Sequence, residues 1–429
     1  MLIMLLALFL ATMFLGTPIA FSMSFSAIMT NLTHGASSLM LTAQQCYDST
    51  SNLSLLAVPF FMLAGSIMNM GGISRRLINF CRLFVGRIRG GLAIVAVLAA
   101  MIFAAISGSG PATVAALGVF MIPAMVNDGY DVGFAGALMG SAGGLGIIIP
   151  PSIPMVIYAT LAGCSVGTMF CAGIVPGIVL GLAMMIYAYV IARKNGYKPA
   201  PVDAPTFKDK AKVFADGLPA IAMPVIILGG IYSGTFTPTQ ASGISVIYGL
   251  ILGVLVYREI KLKDIVKMFV ESGITAASAM LIVSLADGFN WIITTNRVPK
   301  MLSDWFLGIF SSAAGILIAL IVLLTIIGCF MSVNAAMIVL TPILVPVMRS
   351  FGVSPITLGI IMIICVSLGM VTPPFGVNLF VAAGIAKVPF DCMTKHAFIL
   401  VGLCLAVLIA MVFIPGIITF LPELLGMTL

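Results

Sequence analysis

Uncharged stretches long enough to cross a bilayer recur along this sequence, broken by glycine and proline rather than by charge. Residues 91–126 and 132–192 contain no Asp, Glu, Lys or Arg. A helix needs about 20 apolar residues to cross a ~30 Å hydrocarbon core, so the apolar stretches allow roughly a dozen passes. Only 8% of the 429 residues are charged and 61% are hydrophobic, whereas a soluble domain carries about 25% charge. A water-soluble fold could not enclose that much apolar surface. The 44 Gly and 23 Pro exceed what straight rods use. Broken helices are tolerated in a bilayer only where protein or a cavity lines the break. The expected fold class is an all-α polytopic membrane protein.

Several functions fall away. The eight Cys form no CxxC and no cluster, and His34 and His396 are far apart, so a structural zinc, haem or iron–sulfur site is not expected. No GxxxxGK[ST] is present, so the chain has no ATP motor of its own. No carboxylate pair or triad spacing suggests an enzyme. The net charge of +7 sits in membrane-flanking loops and points to orientation, not to nucleic acid.

Three basic stretches set the topology: Arg75 to Arg89, Arg193 to Lys212, and Arg258 to Lys267. All three should be cytoplasmic. Residues 3–28 then span outward from a cytoplasmic N-terminus, 31–50 form a polar outer segment, and 53–70 return, making 1–70 N-terminal scaffold helices. Residues 71–90 read as an amphipathic arm, with Ile73, Leu77, Phe80 and Phe84 on one face. Residues 91–166 hold a hairpin (91–126) and a broken helix (132–165). Residues 167–290 read as further scaffold helices, with a cytoplasmic linker at 193–216. A second arm follows at 291–312, then a hairpin (313–349) and broken helix (356–388) within 313–388. Residues 389–429 close with one helix and a periplasmic C-terminus.

The second half repeats the first. The Pro-Pro pairs 150/151 and 373/374 are 223 apart, and at that offset Gly146 matches Gly369 and Pro123 matches Pro346. Ser107 matches Ser332 and Leu77 matches Leu302 at 225. A sustained offset through arm, hairpin and break is a true internal repeat. The first arm carries five Arg, while its counterpart carries Arg297, Lys300 and Asp304. The repeats are therefore expected to be inverted, with paired discontinuous helices, as in secondary transporters.

Each repeat offers two facing irregularities: the tip Ser107, Gly108, Ser109, Gly110 with the break Gly143 to Pro151, and the tip Gly328 to Asn334 with the break Gly369 to Pro374. Proline frees the carbonyl of the preceding turn. Freed carbonyls and hydroxyls together make a hard-oxygen cage for an alkali cation. Asp287 and Glu271 are the only carboxylates placed near membrane depth, which favours Na+ over a proton relay. The expected cation ligands are Ser107, Gly108, Ser109, Gly110, Gly143, Gly146 and Pro150 in the first repeat. In the second they are Gly328, Ser332, Asn334, Gly369 and Thr372. The breaks also create half-helix N-termini, where an anion can sit. Ser109, Thr113, Pro151 and Ser152, with Asn334, Pro374 and Asn378, are the expected substrate contacts. The alternative for each polar residue is capping of its own backbone.

SGSGPATVAALG, GIIIPPSIP and TPPFGVNLF, in this order with a second polar tip between them, resemble the large membrane subunit of tripartite ATP-independent periplasmic (TRAP) transporters, within the ion-transporter superfamily. The resemblance covers nearly the whole chain. It implies an elevator fold in the bacterial inner membrane and Na+-driven uptake, with two or more ions, of an organic acid. It also implies two partners, a periplasmic substrate-binding protein and a small four-helix membrane subunit. Many members carry an acidic residue at the second tip, where this chain has Ser332. Sialic acid is the substrate the overall resemblance favours, with C4-dicarboxylates the other large class. The competing readings are a stand-alone Na+/dicarboxylate carrier and, more remotely, an ion channel.

Overall fold

The computed structural model describes every residue except 35–38, 86, 87, 89, 198–206, 311, 374 and 375, so Pro374, an expected substrate contact, lies outside the described residues. Among those described there is no strand, and nine helices are long and apolar enough to cross a membrane.

Residues 3–28 do not make one span. They belong to α1 (Leu2–Phe14) and α2 (Ile19–His34), which fold back on one another. Gly16 takes a φ of +85°, Pro18 cannot continue the helical ladder, and the Thr17 hydroxyl donates back to the Thr12 carbonyl at 2.7 Å. Near the far ends, the Thr33 hydroxyl donates to the Met4 sulfur at 3.3 Å. Met1 and His34 therefore emerge at the same end. The single span on which the expected cytoplasmic N-terminus rested is thus two helices.

The polar segment is α3 (Leu39–Thr50), followed by α4 (Ala57–Met70). The arm is α5 (Ile73–Val85): Ile73, Leu77, Ile78 and Cys81 are buried along one face, while Arg75 and Arg82 are exposed. α6 (Gly91–Ser107) and α7 (Gly110–Asn127) form the first hairpin, and α8 (Val132–Gly144) and α9 (Ile153–Ala162) are the halves of the first broken helix. Next come α10 (Val166–Lys194), α11 (Phe207–Tyr232), α12 (Pro238–Leu250) and α13 (Leu262–Thr295). The second series is α14 (Val298–Ile309), the hairpin α15 (Ala313–Phe330) and α16 (Val333–Ser350), and the broken helix α17 (Pro355–Gly369) and α18 (Val377–Ala386). The C-terminal segment, expected as one helix, is two, α19 (Asp391–Phe413) and α20 (Gly416–Leu424), divided at Pro415. The order of elements repeats at the offsets seen in the sequence. α7 and α16 start 223 positions apart, as do α8 and α17, and α5 and α14 start 225 apart.

Packing sorts the helices into two groups. α1 to α4, α12 and α13 pack on one another, and α6 to α10 and α15 to α19 surround the two breaks. α10 was expected among the scaffold helices, but it runs beside α6 and α17, and the C-terminal α19 packs on α8 and α10. The reason is a stripe of Gly173, Gly177 and Gly181, one per helical turn. A Cβ at these positions would come within 2.4, 2.4 and 2.3 Å of Met155, Ile149 and Met101. Small residues let helices approach where lipid is as apolar as any side chain. Boundaries at 166/167 and 388/389 therefore cut through a packed unit.

Candidate functional site

The first hairpin turns because Gly108 takes a φ of +60°, which side chains with a Cβ rarely adopt. Ser109 is the N-cap of α7 and Pro111 sits in its first turn, where a missing N–H leaves nothing unpaired. The tip lies inside the first break. A Cβ on Gly146 would sit 2.7 Å from the Ser109 carbonyl and 2.6 Å from the Thr113 hydroxyl, and one on Gly108 would sit 3.0 Å from the Pro151 carbonyl. The Ser107 and Thr113 hydroxyls are 2.8 Å apart, and Thr113 Oγ1 donates to the Ser109 carbonyl at 2.8 Å. Ser152, fully buried, donates to the Ile147 carbonyl at 2.7 Å and so staples the break itself.

The second tip meets the second break through bare backbone. A Cβ on Gly369 would lie 2.3 Å from the Gly328 carbonyl carbon and 2.7 Å from the Cys329 nitrogen. The Cys329 thiol lies beside the Thr372 hydroxyl, which itself donates to the Leu368 carbonyl at 2.7 Å. Ser332 is exposed, and its hydroxyl accepts from the Ala335 N–H at 3.4 Å, capping α16. Asn334 is half-buried on the first turn of that helix.

Two side chains join the breaks. Ser367 Oγ donates to the Gly144 carbonyl at 2.9 Å. These residues are 223 apart, so equivalent positions of the two repeats touch. Asn378, fully buried, donates through Nδ2 to the Gly140 carbonyl at 3.2 Å. A Cβ on Gly110 would sit 3.2 Å from both terminal atoms of Asn378 and 3.4 Å from the Gly143 carbonyl. The carbonyls of Gly140 and Gly144, in the last turn of α8, and of Ile147 at the break thus accept from Asn378, Ser367 and Ser152. Asn378 Oδ1 has no protein partner.

A cavity of about 290 Å3 opens beside the first tip. Ser107 and Ser109 form one wall, facing Ser66 and Asn69 of α4 and Glu271, Ser272 and Thr275 of α13. Thr113, Ser152 and Asn378 lie buried behind it. Of the α4 and α13 residues, the sequence singled out Glu271 alone, as a carboxylate near membrane depth; the motifs gave no hint of the others. A signal was there in the polar group Glu271, Ser272 and Thr275, which falls within about one turn of helix. Glu271 lies 3.8 Å from Lys267, both largely exposed.

Comparison with known proteins places this geometry. The family described as "Tripartite ATP-independent periplasmic transporter, DctM component" matches residues 6–417. The isethionate TRAP transporter permease protein DctMQ of Oleidesulfovibrio alaskensis is 41% identical over 94% of this chain, which spans 63% of that relative's length. The C4-dicarboxylate TRAP transporter large permease protein DctM of Pseudomonas aeruginosa is 40% identical over 95% of each chain. The sialic acid TRAP transporter large permease protein SiaM of Vibrio cholerae is 35% identical over 97% of each. Among solved structures, the Alcanivorax borkumensis YdaH transporter shares the fold at a TM-score of 0.66, with 13% identity and 89% of each chain covered. With motifs, element order and relatives in agreement along almost its entire length, the chain belongs to the DctM family of TRAP transporter large permeases.

Proposed function

We propose that this subunit couples inward Na+ movement to the import of an organic acid across the bacterial inner membrane, by an elevator motion of the break-bearing helices against α1 to α4 and α11 to α13. The observation that carries the cation is Asn378 Oδ1. An acceptor with no donor, fully buried, costs about 1–3 kcal/mol, and a hard cation would satisfy it. Ser107 to Gly110, Gly143 and Asn378 would hold the first ion, and Gly328, Gly369 and Thr372 would contribute to the second. Na+ at these positions supplies the driving force and offsets the charge of an incoming anion.

The substrate class follows from the named relatives, whose acids are a sulfonate, dicarboxylates and sialic acid. These stand at similar identity, so the class proposed is the organic anion rather than sialic acid alone. The N-terminus of α7, which begins after Ser109 at the cavity wall and has no side-chain cap, suits one anionic group. Inverted repeats are supported by the contact between the equivalent residues Gly144 and Ser367, as expected near a two-fold axis. With the basic stretches cytoplasmic, the cavity opens inward and the α1–α2 turn returns Met1 to the periplasmic face, where the C-terminus also ends. A periplasmic binding protein and a small four-helix membrane subunit complete the transporter.

The test is uptake into proteoliposomes of a labelled acid, with the small subunit and binding protein added separately. We expect accumulation only under an inward Na+ gradient, with no effect of ATP. Equal uptake under a proton gradient alone, without Na+, would refute the coupling.

A further inference from the structure

We propose that the junction of α5, the start of α11 and the α12–α13 turn is a docking site for anionic phospholipid headgroups; it rests on the cytoplasmic orientation above. Three basic segments distant in sequence are clamped together here. The rings of Phe80 and Phe214 are 5.5 Å apart, and the Tyr257 hydroxyl donates to the Asp216 carbonyl at 2.9 Å. Arg76 pairs with Glu259 at 2.6 Å and lies 3.8 Å over the Tyr257 ring. This clamp presents Arg75 and Arg82 of α5, Lys208, Lys210 and Lys212 of α11, and Arg258, Lys261 and Lys263 of the turn, all exposed.

Most neighbouring acids are engaged elsewhere. Glu259 is held by Arg76, Asp264 accepts from the Lys261 backbone N–H at 3.1 Å, and Glu271 lies by Lys267. Asp209 and Asp216 also lie near the eight cations, none of which has an ion-pair partner among the described residues. Large apolar side chains stand between the cations: Phe84 is 64% exposed, Phe207 87% and Leu262 80%. Cations interleaved with exposed apolar groups suit the headgroup level, where apolar groups reach the acyl boundary and cations meet phosphate. A free anion would have no use for the apolar groups. α5 leads into the first hairpin, so a bound headgroup holds the outer end of the arm at the membrane plane.

Native mass spectrometry of the intact subunit tests this, with phosphatidylglycerol and phosphatidylcholine supplied equally. We expect preferential phosphatidylglycerol adducts. They should fall about tenfold in the variant Arg75→Gln, Arg82→Gln, Lys208→Gln, Lys210→Gln. They should persist in Lys387→Gln, Lys395→Gln, which removes cations elsewhere on the same proposed face. In the unaltered protein, raising salt should strip phosphatidylglycerol before phosphatidylcholine. Equal retention of the two lipids there, or equal loss in both variants, overturns the site. Full displacement by inorganic phosphate would show a free-anion site instead.

Discussion

A single methyl group probes the two cradles. On Gly369 it would meet backbone atoms of Gly328 and Cys329 at 2.3–2.7 Å, and backbone cannot rotate aside. The second tip must then back out of its break. Gly369→Ala is expected to lower uptake at least about tenfold, as a misplaced site does, with the protein still inserted. Gly402→Ala, where a Cβ meets nothing within 4 Å, should transport normally; equal activity of both variants would refute the cradle. Asn378→Leu keeps the branching of the side chain, with bulkier ends, but strips the Gly140 carbonyl of this donor, a loss of about 1–3 kcal/mol visible in thermal unfolding in detergent. It also removes the free Oδ1, so the Na+ concentration for half-maximal uptake should rise; an unchanged value removes Asn378 from the ion site. The tips and breaks were legible because Gly, Pro and Ser state their chemistry locally. The link from Asn378 to Gly140 was not, because it joins helices from different halves of the chain.

At the scale of the element, hairpins and half-helices follow uncharged runs cut by polar tips and Pro-Pro, while the second arm, read as 291–312, is the shorter α14 (Val298–Ile309), because α13 runs on to Thr295. The α1–α2 turn was missed because an apolar run gives total length but not direction, and its only signal was Gly16-Thr17-Pro18. The place of α10 was missed although its Gly173, Gly177 and Gly181 stripe was visible, since small residues report close packing without naming the partner. Side-specific thiol labelling tests the reading. Cys392 is the one exposed native cysteine and should react with an impermeant maleimide only from the cytoplasmic side. In a Cys392→Ser background, cysteines introduced at 2 and 208 should label from opposite faces, periplasmic and cytoplasmic. Labelling of both from one face would restore the single span and return the N-terminus to the cytoplasm.

Across the whole molecule, the two helix groups meet along a surface where sliding changes little apolar burial, because lipid replaces side chains at nearly equal cost. In the elevator motion proposed above, movement would be governed by polar and close-packed points on that surface. One such point is Gly65 of α4 against the first tip: a Cβ on Gly65 would lie 3.4 Å from Ser107 Cα and 3.3 Å from its carbonyl oxygen. The backbones at 65 and 107 thus approach closely enough to test a Cys pair there, since a disulfide bridges Cα atoms about 4.4–6.8 Å apart. Ser107→Cys alone alters an expected ion ligand, so the informative comparison is within the double variant, oxidised against reduced. Reduced, it should match the Ser107→Cys single variant. Oxidised, it should hold α6 against α4 and stop uptake, and reductant should restore it. Binding of the acid from the cytoplasmic side should survive oxidation, since the cavity beside Ser109 stays open. If the fully cross-linked protein transports at the reduced rate, the hairpin group does not travel past α4, and transport must proceed by movement of the tips alone.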